Sequence, residues 1–239
     1  MEVAAEASKP ASRPATPPTE GPPKNFGTVA DDENYRIYRS AFPGNVNVDF
    51  LKTKNINTVI TLVNFESFAI DEGRRGVAQF IEENSIQHVS IPITPNKEKD
   101  GTSTSVESIC EALIHVINPA NYPLYIHCNQ GKHRTGCVVA CFRKCQGWAI
   151  DKIIEEYDVY ALGKSRKEDV AFIEAFDTAA VYKYAKEREK LHLFPKERKD
   201  SAVSIWDLAP VQDLSPSADN SSEYGVSSEY GIASSDDGL

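Results

Sequence analysis

Cys128 and Arg134 stand six positions apart in Cys128-Asn129-Gln130-Gly131-Lys132-His133-Arg134-Thr135-Gly136, between a strand-like run, Leu124 to His127, and a helical one, CVVACFRKC. A cysteine at the end of a strand, then a short loop and a helix start, puts consecutive N–H groups around one concavity that favours an anion. The same positive end favours a thiolate, so Cys128 is expected to titrate below the ordinary thiol value of about 8.5. Arg134 offers a planar fork for two phosphoryl oxygens. Gly131 permits a backbone conformation that a Cβ would hinder. The Thr135 hydroxyl can donate to the sulfur, and His127 suits bracing the loop better than taking a proton. Asn129, Gln130, Gly131, Lys132 and His133 complete the cradle. Its chemistry is displacement at phosphorus through a cysteinyl-phosphate, with no metal or other cofactor required. Two rival readings are a buried structural cysteine and a zinc site from His127, Cys128 and His133, which lacks a fourth ligand.

A leaving alkoxide or phenolate needs a proton. Asp100, 28 residues before Cys128 in the polar loop TPNKEKDGTST, is the candidate acid, with Glu98 in reserve. A leaving phosphate, with a second pKa near ~6 to 7, depends on that acid far less. A polyanionic substrate also calls for a basic rim. Lys97 and Lys99 on the middle loop, Lys132 and His133 in the cradle, and Lys164 and Arg166 in GKSR are the candidates. Arg39 and Arg143 are expected to support structure.

These residues need a frame, and the hydropathy pattern supplies one. Tyr35 to Ser40 alternates as a half-buried strand, Asn47 starts a short helix through Lys54, and Thr58 to Val63 is an apolar run suited to a covered central strand. A helix over about Asp71 to Asn84 turns Val77, Phe80 and Ile81 inward, and a strand follows from Gln87 to Ile93. Thr104 and Glu107 form a capping box for a helix carrying Ile109, Leu113, Ile114 and Ile117. Pro123 introduces the strand Leu124 to His127. Helices over Thr135 to Gln146, Ile150 to about Tyr160, and Glu168 to about Lys190 complete the domain. Alternating strands and helices predict an α/β fold, a mostly parallel central sheet flanked by helices.

The 239 residues hold 26 Lys and Arg against 35 Asp and Glu, for a net charge of -9. Eight of the acids lie between Asp200 and Leu239, where no Lys or Arg occurs, so the rest of the chain is near neutral. That balance lacks the basic signature of nucleic-acid binders. No apolar run approaches the ~20 residues of a membrane span, and the N-terminus lacks a secretory core. Five cysteines, three of them (Cys137, Cys141, Cys145) on one helical face, read as core thiols in a reducing, cytoplasmic setting. Residues 1–25, rich in Pro and Ala, are expected to be disordered, residues 26–195 to form the catalytic domain, and residues 196–239 to be an acidic low-complexity tail. The repeated Ser-Ser-Glu-Tyr-Gly at 221–225 and 227–231 marks that tail as a possible docking segment for protein partners. Trp206 is placed to clip the start of the tail to the body.

The chain resembles the plant and fungal atypical dual-specificity phosphatases of the Siw/Oca type. The likeness rests on NFGTV and IYRSAFP, PNKE, INPANYPLYIHCNQGKHRTGC, and GKSR with FIEAFD, and covers most of Phe26 to Phe176. It implies the cysteine-dependent phosphatase fold, Cys128 as nucleophile, Arg134 as phosphate clamp, and an inositol pyrophosphate as substrate, cleaved at its diphosphate. Two departures stand out: Gln130 occupies a position usually Arg or Lys, and PNKEKDG replaces a more apolar continuation. The alternatives are a protein tyrosine or dual-specificity phosphatase and a non-catalytic phosphate-binding adaptor. Intact Cys128, Arg134 and Thr135 weigh against the adaptor, which has no need of a thiol.

Overall fold

The computed structural model describes residues 21–31, 35–65, 72–97, 99 and 101–190. Strands β1 (Gly27–Asp31), β2 (Arg36–Ser40), β3 (Thr58–Thr61), β4 (Gln87–Ser90) and β5 (Leu124–His127) form one sheet in the order β1-β2-β5-β3-β4. Only β1 runs antiparallel, against β2; the pairs β2–β5, β5–β3 and β3–β4 are parallel. The helices are α1 (Val48–Lys52), α2 (Arg75–Glu83), α3 (Val106–Val116), α4 (His133–Cys145), α5 (Ile150–Ala161), α6 (Lys167–Ala175) and α7 (Ala179–Glu187).

The period-2 alternation of a strand divides the core. Ile37, Ile60, Leu124 and Ile126 face a large cluster with residues of α3 to α7. Tyr38, Val59 and Tyr125 point the other way, onto Leu51 of α1 and Val77, Phe80 and Ile81 of α2. Because β5 is central, all four of its residues are buried. Its C-terminal end opens between β2 and β3, where parallel sheets bind ligands.

Several elements differ from expectation for local reasons. The helix read over Glu168 to Lys190 is two helices: Phe176 adopts an extended conformation (ψ 120°), is only 4% exposed, and ends α6. Asp177 Oδ1 then accepts from the Ala179 amide at 2.9 Å, starting α7. The cap of α3 lies one residue later than predicted: Ser105 Oγ accepts from the Ser108 amide at 3.1 Å, while the Thr104 hydroxyl donates to Thr94 O at 2.7 Å. Strand β1, which overlaps the NFGTV string, is not among the strands expected from sequence. Residues 21–25 lie on the tail side of the boundary drawn at Phe26, yet Asn47 Nδ2 donates to Gly21 O at 3.0 Å and the Ala41 amide to Lys24 O at 2.8 Å. The tail repeats and Trp206 lie outside the described residues. No helix among those described is long and apolar enough to cross a membrane.

Candidate active site

Strand β5 ends at His127, and α4 begins at His133, so residues 128–132 must turn the chain within five positions. What fixes the turn is the orientation of its carbonyls. Asn129 O accepts from the Phe42 amide at 3.2 Å. Gln130 O and Gly131 O accept from Asn25 Nδ2 at 3.3 and 3.1 Å, and Gly131 O also takes Arg39 Nη2 at 2.8 Å. With three successive carbonyls held from outside, the amides are left for the inside. Those of residues 129–135 have no acceptor among the described residues. Together with the N-terminus of the 13-residue α4, they form an anion cradle.

Gly131 is required on two counts. Its φ is +66°, and a Cβ there would lie 2.4 to 2.6 Å from the backbone of Ser40 and Ala41. The loop therefore seats directly on the chain that leaves β2.

Cys128 is 2% exposed and unbonded to any other sulfur. Arg134, in the first turn of α4, is half-buried, with no hydrogen bond or ion pair among the described residues. Its fork thus remains available to an oxyanion. Thr135 is fully buried, and its hydroxyl has no partner among the described residues. A buried hydroxyl without a partner is costly, and here it stands in the first turn of the helix beneath the cradle. Asn129 and Gln130 are exposed on the outer side of the turn.

His127 is wholly buried, with Nε2 3.0 Å from Thr61 Oγ1. The same hydroxyl lies 2.9 Å from His88 Nε2, and the Phe42 ring meets the imidazole edge-on at 4.6 Å. Burial drives its pKa down to about 3, so the ring is neutral at ordinary pH. Its side-chain bond runs to β3, its Nδ1 has no hydrogen-bond partner among the described residues, and it has no charge to offer a substrate. The other thiols are core groups: burial pushes Cys110 up to about 11 and Cys145 to about 12, and Cys137 and Cys141 well above the ordinary range.

A buried polar hub absent from the sequence reading backs the cradle. Asp169 of α6, 1% exposed, accepts Asn96 Nδ2 at 2.9 Å on one oxygen. Its other oxygen meets Tyr157 OH at 2.7 Å and His133 Nδ1 at 3.0 Å. Burial alone would raise the pKa of this carboxylate, but the bonds from His133, Tyr157 and Asn96 outweigh it and hold the pKa below its usual range. Asn96 Oδ1 accepts from the Thr104 amide at 2.7 Å, and its carbonyl takes Arg166 Nη1 at 3.2 Å. One carboxylate therefore ties the middle loop, the start of α4, α5 and the GKSR turn together. His133 is anchored to this hub through Nδ1, and Arg166 through the Asn96 carbonyl.

Among the other rim candidates, Lys132 is half-buried, while Lys97, Lys99 and Lys164 are exposed. Lys97 pairs backbone to backbone with Thr102 at 2.9 and 3.2 Å. Asp100 and Glu98, the acid candidates, lie outside the described residues. Asn25, Asn96, Tyr157 and Asp169 were not singled out from sequence. Of these, Asn25, in NFGTV, and Asn96, in PNKE, lie in strings already noted.

Comparison with known proteins adds a family context. A model of the tyrosine phosphatase family matches residues 21–193. Inositol diphosphatase DSP3 of Arabidopsis thaliana is 38% identical over 160 residues, covering 67% of this chain and 73% of that protein. A probable tyrosine-protein phosphatase of Dictyostelium discoideum is also 38% identical, with 67% and 90% covered. Inositol diphosphatase SIW14 of Saccharomyces cerevisiae is 35% identical over 173 residues, covering 72% of this chain and 58% of that one. The crystal structure of the core catalytic domain of that PP-IP phosphatase, in complex with citrate, superposes with a TM-score of 0.59 at 32% identity, covering 72% of this chain and 98% of the core.

Proposed function

Since the chain belongs to the tyrosine phosphatase family, and within it to the inositol diphosphatases of the SIW14 and plant DSP type, we propose that it hydrolyses the β-phosphate of inositol pyrophosphates by way of a cysteinyl-phosphate. The observation that carries this reading is the row of unpartnered amides at residues 129–135 over a buried Cys128, with the Arg134 guanidinium unclaimed beside them. Such a cradle has donors for each equatorial oxygen of a transferring phosphoryl group and no need of reorganisation when charge develops.

The sulfur of Cys128 attacks phosphorus in line while the leaving group departs opposite. Arg134 follows the three oxygens as they flatten. Water then hydrolyses the thiophosphate ester, and the unpaired Thr135 hydroxyl is the donor available to the departing sulfur. Asp100 is assigned as the acid for poor leaving groups. A diphosphate substrate leaves a phosphate and needs that proton least. Lys97, Lys99, Lys132, Lys164, His133 and Arg166 form the basic rim that a polyphosphorylated ring demands. The thiol-rich interior suits a reducing compartment, which we take to be the cytoplasm. Residues 196–239 are assigned as a tail for protein partners.

A second reading, a protein tyrosine phosphatase, is favoured by the Dictyostelium relative's name. A panel of inositol pyrophosphates and phosphotyrosine peptides separates the two. The expected result is a kcat/KM at least about tenfold higher for the inositol pyrophosphate, roughly 1.4 kcal/mol of transition-state preference. A reversed order assigns the chain to peptide substrates.

A further inference from the structure

Arg39 lies in β2, directly behind the cradle, and is 1% exposed. Its Nη2 donates to Gly131 O at 2.8 Å and lies 4.0 Å from where a Cβ on Gly136 would stand, so the guanidinium sits between the loop and the first turn of α4. The Tyr160 ring covers its far face at 3.8 Å. Among the described residues, Nε and Nη1 are buried and make no hydrogen bond, and no carboxylate pairs with the side chain. Glu156, the carboxylate whose field reaches it, is held in a bidentate bond by Arg143.

A buried guanidinium with one carbonyl, one aromatic face and no counter-ion is a costly arrangement. A π face and one carbonyl do not cancel a full charge. Arg39 meets the loop carbonyl shared with Asn25 and the ring of Tyr160, and the other charged or ionisable groups whose fields reach it are Glu156, Arg143 and Cys128. Among the acidic groups, only Cys128 is neither already paired nor a phenol.

We propose that Arg39 is the buried counter-charge of the cradle, a positioning residue behind the loop whose charge is matched by the Cys128 thiolate and then by the bound phosphoryl group. This deepens the phosphatase reading and rests on it. The same side chain, through Gly131 O, also turns the loop's amides inward, so one guanidinium sets both the loop's geometry and its potential.

The experiment compares Arg39→Gln, which retains a donor for Gly131 O without the charge, with Arg39→Lys, which retains the charge without the fork. The readout is the rate of iodoacetamide alkylation of Cys128 at about pH 6.5, with the modified peptide identified by mass. The other four thiols, whose pKa values burial raises, stay protonated at this pH. Arg39→Gln is expected to slow alkylation by about tenfold, and Arg39→Lys by less than about threefold. A wild-type rate in Arg39→Gln, or equal slowing in both variants, overturns the proposal. Should Arg39→Gln not fold, Arg39→Lys is compared with the wild type alone: alkylation within about threefold supports the proposal, and greater slowing overturns it. Failure of the phosphatase reading looks different: wild-type turnover would then survive complete alkylation of Cys128.

Discussion

Two arginines are buried to nearly the same depth, Arg39 at 1% and Arg143 at 2% exposure, and their surroundings are opposite. Arg143, near the C-terminal end of α4, is saturated. Nε and Nη2 bind Glu156 at 2.8 and 3.0 Å, Nη2 also reaches Val29 O at 2.8 Å, Nη1 binds Gln146 at 3.0 Å, and the Trp148 ring lies 4.1 Å away. Arg39, behind the N-terminal end of the same helix, has one carbonyl and one ring. At one end of α4 every nitrogen of the arginine has an acceptor, although the neighbouring Gln146 Nε2 and Trp148 Nε1 do not; at the other, two arginine nitrogens, the Thr135 hydroxyl and a row of amides have none among the described residues. Saturation marks a group whose work ends with folding. Donors left over around the cradle are free to meet the anion it binds.

Substitutions at the two ends should therefore separate activity from stability. The largest effect is expected at Cys128: Cys128→Ser should lower turnover by at least about a thousandfold while circular dichroism stays native. Residual turnover near the wild-type level would remove Cys128 as the nucleophile. At the saturated end, Arg143→Met leaves the Glu156 carboxylate stranded and should cost about 3 to 5 kcal/mol in urea unfolding, with kcat of the folded protein within about threefold. A stable Arg143→Met with weakened turnover would reverse the comparison.

The cradle side has its own signature in acid. His127 is neutral in the folded state down to about pH 3, whereas in the unfolded chain it takes a proton near its ordinary value of about 6.5. Unfolding therefore binds a proton throughout that interval, and stability falls as pH drops. The contribution of this residue should be about 2 kcal/mol between pH 6.5 and 5, and should vanish in His127→Gln if that variant folds. The smallest effect is expected at the middle loop. Asp100→Asn should slow aryl phosphate turnover by about tenfold and diphosphate turnover by about twofold or less. Equal slowing of both would dissociate the leaving-group pKa from the need for an acid.

The cradle was legible in sequence because strand, turn and helix are contiguous there, and local propensity and spacing carry the geometry. Gly131 was legible for the same reason, although the backbone it rests on, Ser40 and Ala41, was not. The Asp169 hub was not legible. Its partners Asn96 and His133 come from 73 and 36 residues away, and no local periodicity encodes a meeting of that kind. Arg39 was read as structural because a charged residue in an alternating strand carries no mark of what its side chain will fail to find. The break at Phe176 was missed because apolar spacing runs on through it, and only the burial of that ring and the Asp177 cap reveal two helices. The capping position slipped from Thr104 to Ser105 because both residues suit it, and the Thr94 carbonyl claimed the first.

The seating of Gly131 on the end of β2 also predicts how this stretch tolerates variation. In a saturation library selected for function, Asn129 and Gln130, whose side chains point to solvent, should accept many replacements, while the column at 131 stays empty even for alanine. The border between freedom and prohibition would fall within a single peptide unit, drawn by a strand 90 residues upstream.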